Sequence, residues 1–204
     1  IPIGIKDVID TKDMPTENGS PIFEGRRPQH DALCVAALRR AGAVIMGKTV
    51  TTEFANINPS KTRNPHNIEH SPGGSSAGSG ASVADFHIPL AVGTQTGGSV
   101  IRPASFNGVF GLKPTLGLVP RSGLFLQSHT LGTIGVYGRT LEDLVLILDN
   151  ISIPDPSDSH SYRGNVPSYQ NEFLKYSEHR PKFAFLETPA WAEAYPASKS
   201  AIIK

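Results

Sequence analysis

A chain of 204 residues that is 38% hydrophobic can bury one sizeable core, so a single domain is expected. Its 19 Lys and Arg residues almost balance 18 Asp and Glu residues, which argues against an electrostatic surface for nucleic acid. The single cysteine, Cys34, excludes an internal disulfide. This cysteine content is typical of a reducing compartment, so we expect a cytoplasmic protein. No apolar run has the length of a membrane span.

Apolar runs and helical spacing predict strands that alternate with helices along the chain. In chain order the predicted elements are a strand ending at Lys6, a helix at 31–41, a strand at 43–46, a short helix at 51–57, a helix at 76–86, a strand at 88–92, a short helix from Ser99, a strand at 109–112, a helix at 140–150, a weak helix at 169–177, a strand at 182–186 and a helix at 196–204. This alternation predicts an α/β fold in which a mixed sheet carries helices on both faces.

One stretch resembles a nucleotide-binding loop, and we reject that interpretation. Residues 42–49 match the pattern G-x-x-x-x-G-K-T letter for letter. Such a loop needs a strand before it and a helix after it, whereas here a predicted helix precedes the match. The interior residues 43–46 are apolar and predict a strand whose amides are used in a sheet.

Two Gly-Gly-Ser triplets dominate the middle of the chain. They end at Ser75 and Ser99, which are 24 residues apart, and each opens a predicted helix. A glycine pair permits a tight turn and close approach to a ligand, and the first N–H groups of a helix are free to meet a developing negative charge. A serine nucleophile with backbone donors is the minimum requirement for acyl transfer.

The predicted base is Lys6, at the end of the first apolar strand. A buried lysine is costly as a cation, and desolvation lowers its pKa enough for it to act as a general base. Its neighbour Asp7 is expected to point to the opposite face, because successive side chains alternate along a strand.

With Lys6 and the two glycine turns, the sequence resembles the amidase signature family. Further matching stretches lie at residues 4–7, 38–49, 53–55, 64–65, 71–76 and 111–115. The resemblance implies a Ser–Ser–Lys triad in which Ser99 is the nucleophile, Ser75 is a relay serine with a cis peptide bond and Lys6 is the base. Ser76 competes with Ser75 for the relay position.

Domains of this family are considerably longer than this chain, and the resemblance covers roughly residues 1 to 150. We therefore expect one partial domain, with the signature core at 1–150, a linker-like excursion at 151–167 and the start of a C-terminal part at 168–204. The half that completes the substrate pocket in the family is then missing from the sequence.

The predicted oxyanion hole and substrate site flank Ser99. Backbone amides of Thr96, Gly97 and Gly98, together with that of Ser99, form the expected oxyanion hole. Arg102, one helical turn after Ser99, is expected to pair with a substrate carboxylate, as the resemblance to the malonamidase-like branch implies; a structural salt bridge is the alternative.

Other side chains close to Ser99 in sequence have less specific expectations. We expect Thr94 and Gln95 to line the same pocket. His70 and His129 are the nearest histidines for a Ser-His-Asp arrangement, but neither has a characteristic spacing. No metal-ligand spacing is present, so no metal and no cofactor are expected.

The resulting hypothesis is an amidase that hydrolyses the C–N bond of a small linear amide, carboxylate-bearing and malonamate-like, through an acyl-enzyme. The expected partner is that substrate, without nucleic acid or membrane, and a homodimer is left open. Two alternatives remain: the amidase-like subunit of a glutamine-dependent amidotransferase, and a catalytically silent fragment.

Overall fold

The computed structural model describes residues 1–166, 168–175 and 182–203. The chain forms two compact units, Ile1–Leu174 and Lys175–Lys204. The boundary between them falls after the segment 151–167 that was predicted to be linker-like. Within the described residues, no helix has the length and apolar character needed to cross a membrane.

The first unit contains five strands and five α-helices among its described residues. The strands are β1 (Pro2–Lys6), β2 (Val44–Thr49), β3 (Leu90–Gln95), β4 (Phe110–Leu112) and β5 (Thr133–Gly138). The helices are α1 (Leu33–Arg40), α2 (Ala77–Ala84), α3 (Ile101–Asn107), α4 (Leu141–Ile151) and α5 (Tyr169–Leu174). In the second unit, α6 spans Pro196–Ile203, and short 3₁₀ turns in the chain lie at Pro21–Phe23, Glu53–Ala55 and Pro189–Trp191.

The strands form one mixed sheet with the order β2-β1-β3-β5-β4. β1 pairs in parallel with β2 and β3, whereas β5 runs antiparallel to β3 and β4. Because side chains alternate along each strand, each face of the sheet has its own apolar cluster. The cluster with α1 and α4 includes Ile5 and Val136, and the cluster with α2 and α3 includes Tyr137. The predicted mixed sheet with helices on both faces is therefore confirmed.

The strand β5 is absent from the sequence prediction, although it is buried along its whole length. Two glycines lie within its six residues, and glycine weakens strand propensity. Both are required by close neighbours: a Cβ at Gly135 would lie 2.7 Å from Val100, and one at Gly138 would overlap Asp143. Tertiary packing thus stabilises a strand at a segment where local propensity does not predict one.

Several predicted boundaries differ from the structure. The predicted strand at 182–186 is wrong, since these residues have no regular secondary structure. The predicted helix at 51–57 is reduced to the 3₁₀ turn, because Phe54 and Ala55 have φ of 50° and 56°. The helix α3 begins at Ile101 rather than at Ser99. Of the predicted helix at 169–177, residues 176–177 lie outside the described residues, as does the end of the predicted helix at Lys204.

Candidate active site

Lys6 lies at the carboxyl end of β1 with its side chain completely buried. Its Nζ donates hydrogen bonds to the Ser75 Oγ at 2.7 Å and to the Thr94 Oγ1 at 2.8 Å. Burial lowers the pKa of Lys6 well below its usual value. Asp7 is directed elsewhere and pairs with Lys48 at 3.4 Å, as strand alternation predicts. The amine of Lys6 is therefore held among hydroxyl groups in an environment that disfavours its charge.

Lys48 is the lysine of the rejected nucleotide-loop match. It lies within β2, where its Nζ donates to the carbonyl of Ile9 and to the hydroxyl of Thr16 in addition to pairing with Asp7. The segment forms a sheet strand, and its lysine bonds to groups within the protein. Both features agree with the rejection of a phosphate-binding loop.

The first glycine turn places Ser75 against Lys6. The Gly74–Ser75 peptide bond is cis, and Gly73 has a φ of 74°. A Cβ at Gly73 would lie 3.1 Å from the backbone of Pro103, so this turn approaches α3 closely. The two candidate relay serines point to different partners: Ser75 accepts from Lys6, whereas the Ser76 hydroxyl donates to the Thr94 carbonyl at 3.1 Å.

The second glycine turn connects β3 to α3 and carries Ser99, which is half-buried. No direct hydrogen bond joins the Ser75 and Ser99 hydroxyl groups in the part of the chain that the structure describes, but both residues line one cavity. Thr96, Gly97 and Gly98, the predicted oxyanion residues, line the same cavity. The structure thus brings the two glycine turns to one opening, with Lys6 beneath Ser75.

Thr94 and Gln95 do not line this cavity, contrary to the prediction. Both side chains are buried. Thr94 accepts a hydrogen bond from Lys6, while the Gln95 Oε1 accepts from the N–H groups of Val100 at 2.8 Å and Ile101 at 3.1 Å. Gln95 therefore satisfies free N–H groups where α3 begins instead of meeting solvent.

The cavity has a volume of about 490 Å³. Its other lining residues come mostly from segments for which the sequence predicted no role: Thr52, Ala55, Asn56, Ile57, Pro59, Ser60, Thr62, Arg63, Phe106 and Gln127. These residues follow no helical or strand period, so sequence spacing carried no signal for them. Arg63 and Arg102 are the charged residues among the described lining, and both are exposed.

Two asparagines join the first glycine turn to α3. The Asn107 Nδ2 donates to the carbonyls of Pro72 and Pro103, each at 2.7 Å. The Asn64 Nδ2 donates to the carbonyls of Ser71 at 3.3 Å and Phe106 at 2.7 Å. Because α3 follows directly after the Ser99 turn, these bonds fix one serine turn relative to the other.

The histidine alternatives and a metal centre receive no support from the geometry. Neither His70 nor His129 lines the cavity. Among the described residues, no group of His, Cys, Asp and Glu side chains is arranged to hold a metal ion. Cys34 is buried in the core next to α4, and burial raises its pKa to about 12, so its thiol is not a candidate nucleophile.

Comparison with known proteins decides the family. The profile of the family described as Amidase matches residues 1–203. The chain belongs to the amidase family. Its membership confirms the resemblance carried by the two Gly-Gly-Ser turns and Lys6.

Curated and solved amidase relatives resemble the chain closely. A glutamyl-tRNA(Gln) amidotransferase subunit of Microcystis aeruginosa is 45% identical over 183 residues, which are 87% of this chain and 38% of that protein. The peptide amidase of Stenotrophomonas maltophilia has a TM-score of 0.78 and 40% identity, covering 83% of this chain and 37% of that one. The corresponding glutamyl-tRNA(Gln) amidotransferase subunit of Thermotoga maritima has a TM-score of 0.77 and 39% identity, covering 81% of this chain and 38% of that one. The chain thus spans less than two fifths of the length of these relatives.

Proposed function

We propose that this chain carries the catalytic centre of an amidase that hydrolyses the C–N bond of a small linear amide through an acyl-enzyme. The observation that carries the proposal is the buried hydrogen bond from Lys6 to Ser75, at the floor of a cavity that Ser99 also lines. Burial lowers the pKa of Lys6 and so favours the neutral amine, which is the form that acts as a general base.

In the proposed mechanism, Ser99 Oγ attacks the amide carbonyl as its proton passes to Ser75 and the Ser75 proton passes to Lys6. The tetrahedral intermediate collapses when the C–N bond breaks, and the protonated Lys6 returns a proton through Ser75 to the leaving ammonia or amine. Water then attacks the ester of Ser99 with the same proton path, releasing the acid and restoring the serine.

The negative charge that develops on the carbonyl oxygen needs preorganised donors. We assign this role to the backbone N–H groups of residues 96–99, in the turn before α3. Removing one such donor from an oxyanion hole typically costs about 2.7–4 kcal/mol of transition-state stabilisation. The position of this turn beside Ser99 in the cavity supports the assignment.

The charges around the cavity support an anionic substrate. Arg63 and Arg102 are both exposed there, and none of the described lining residues is acidic. Arg102 forms no ion pair with any residue that the structure describes, and its Nη1 lies 3.5 Å from the Gly74 carbonyl. A guanidinium that is not paired within the protein is available to a substrate carboxylate, so we propose a malonamate-like amide.

A second function is favoured by the relatives: the amidase-like subunit of a glutamine-dependent amidotransferase, in keeping with the name of the 45% identical protein of Microcystis aeruginosa. In that case glutamine is the amide substrate, and the ammonia passes to an acceptor on a partner. Hydrolysis of malonamate and of glutamine by the isolated chain, with and without a candidate partner, separates the two functions.

We propose a cytoplasmic location for either function, since the single cysteine is a buried free thiol.

Active-site labelling tests the proposed centre directly. A fluorophosphonate should form an adduct on Ser99, found by mass spectrometry, and Lys6→Ala and Ser75→Ala should each slow labelling by at least about 100-fold. Lys61→Ala is the matched control, because Lys61 is exposed and lies outside the cavity lining. Normal labelling of Lys6→Ala would refute the triad, and no labelling of a folded wild-type chain would favour the catalytically silent fragment.

The substrate proposal has a separate test. Arg102→Gln should raise the KM for malonamate by about tenfold or more while leaving the KM for the neutral diamide malonamide nearly unchanged, because the change removes one guanidinium–carboxylate interaction. An equal effect on both substrates would mean that Arg102 does not recognise the carboxylate.

A further inference from the structure

The carbonyl of Ser99 lacks the hydrogen bond that helix geometry would give it. The carbonyls on either side, at positions 98 and 100, accept from the N–H groups four residues further along at 2.9 and 3.1 Å. The intervening helical hydrogen bond would run from the N–H of residue 103 to the carbonyl oxygen of Ser99. Residue 103 is proline and has no N–H to donate. A carbonyl in this position needs another partner.

Tyr137 of β5 supplies that partner. Its phenolic O–H donates to the Ser99 carbonyl at 3.1 Å, and its side chain is completely buried. Burial raises the pKa of the phenol above its usual value, so it remains a protonated donor. The ring has room because position 93 is glycine, where a Cβ would lie 2.8 Å from the ring.

The other end of the same peptide group is also held. The N–H of Val100 belongs to the peptide unit that contains the Ser99 carbonyl, and it donates to the Gln95 Oε1 at 2.8 Å. The Ser99–Val100 peptide plane is therefore fixed by one buried side chain at its carbonyl and by another at its N–H. Fixing this plane sets the backbone torsion ψ of Ser99 and so limits where its Oγ can lie.

We propose that Tyr137 is a positioning residue for Ser99, acting together with Gln95 through the peptide group that follows the nucleophile. We call the two hydrogen bonds that hold the Ser99–Val100 peptide group, from Tyr137 and to Gln95, the clamp. The effect of the clamp on catalysis rests on the proposed function, whereas the clamp itself does not. Nucleophiles held by supporting hydrogen bonds react faster because the productive geometry is set in advance, and small misplacements cost up to about 100-fold in rate.

The first test is Tyr137→Phe, which removes only the hydroxyl. The rate of fluorophosphonate labelling at Ser99 should fall by about tenfold or more in protein shown to be folded by circular dichroism. Tyr162→Phe is the matched control, since the Tyr162 side chain is 48% exposed and does not line the cavity. A purely structural role would lower the melting temperature and leave the labelling rate of the folded protein unchanged, which would overturn the proposal.

The proline makes a rescue experiment available. Pro103→Ala restores an N–H at the position from which a helical bond to the Ser99 carbonyl forms. The double variant Tyr137→Phe with Pro103→Ala should therefore label several-fold faster than Tyr137→Phe alone, with Pro103→Ala as its reference. A double variant as slow as Tyr137→Phe would show that the hydroxyl does not act through this carbonyl.

Amide hydrogen exchange tests the clamp without any chemistry. The Val100 amide should exchange about tenfold faster in Tyr137→Phe than in the wild type or in Tyr162→Phe. If the wild type did not label, the proposed function would fail while exchange still tested the clamp; if it labelled and Tyr137→Phe matched it, only this inference would fail. If Tyr137→Phe did not fold, Gln95→Met would test the other end of the clamp by the same two measurements.

Discussion

Replacing Lys6 with methionine tests whether its amine is uncharged in the folded protein. The substitution keeps the length of the side chain and removes a buried amine that donates to the Ser75 and Thr94 hydroxyl groups. Desolvation is the cause of its lowered pKa. We expect Lys6→Met to lose turnover and to change the pH dependence of stability in a defined direction.

The sign and size follow from proton linkage. In the unfolded chain the Lys6 amine has a pKa of about 10.4, and burial lowers this pKa well below the usual value in the folded protein. Between these two pKa values the unfolded state binds more protons, so the free energy of unfolding rises with pH. Lys6 thus disfavours folding by about 1.4 kcal/mol for each pH unit below the unfolded pKa, until the folded pKa is reached.

Urea unfolding followed by circular dichroism between about pH 6 and pH 9 measures this effect. The free energy of unfolding of Lys6→Met minus that of the wild type should decrease by about 1.4 kcal/mol per pH unit wherever the pH lies between the folded and the unfolded pKa of Lys6. Taking this difference cancels the contributions of the other titrating groups. A flat difference for Lys6→Met would refute the argument, because Lys6 would then have the same charge in both states and could not serve as a base.

Three further substitutions or reactions test the surrounding structure. Asp158→Asn should cost about 3 kcal/mol near neutral pH, because it breaks the bidentate contact of the buried Arg121. Arg121 lowers the pKa of Asp158 to about 2, so the loss should shrink as pH falls from about 4 towards that value; a pH-independent loss would contradict the pairing. Gly93→Ala should cost about 1–3 kcal/mol, since its Cβ would lie 2.8 Å from Tyr137, and an unchanged melting temperature would exclude this close contact. Cys34 should resist iodoacetamide until urea unfolds the chain, whereas equally fast alkylation of the folded protein would show that its thiol is accessible.

The burial of Lys6 could be predicted from the sequence because its signals are local. An apolar strand ending on a lysine predicts burial, and alternation predicts that the neighbouring Asp7 points away, as its contact with Lys48 confirms. The start of the helix α4 is equally local: Thr140 and Asp143 form a reciprocal capping box, a pattern that three-residue spacing makes readable in the sequence. Each of these predictions depends on residues within one turn or one strand.

The same alternation could have corrected the prediction for Gln95. Thr94 and Gln95 are neighbours in β3 and point to opposite faces, so both could not be expected to line one cavity. Closeness to Ser99 in sequence favoured an assignment that strand geometry does not permit. Pro103 was a second available signal, since a proline four residues after Ser99 removes the donor that its carbonyl would use.

The contribution of β5 could not be predicted, because its evidence lies in other elements. Gly135 and Gly138 lower the local strand propensity, and the reason for each glycine is a neighbour in another element. Local sequence therefore gives no signal for the contact of Tyr137 with Ser99, which spans 38 residues. The cavity residues between Ala55 and Arg63 carry no sequence signal for a related reason, since irregular loops have no period to read.

Under the proposed function, the burial of Lys6 and Ser75 separates the residues that move the proton from those that meet the substrate. The buried set comprises five nearly inaccessible side chains: Lys6, Ser75, Thr94, Gln95 and Tyr137. The outer set of cavity residues, which includes Asn56, Arg63 and Arg102, is exposed. Substitutions in the outer set alter what enters the cavity without removing a hydrogen bond between Lys6, Ser75 and Thr94. Under the proposed function, substrate recognition and bond cleavage depend on different residues, so selection can act on each of them separately.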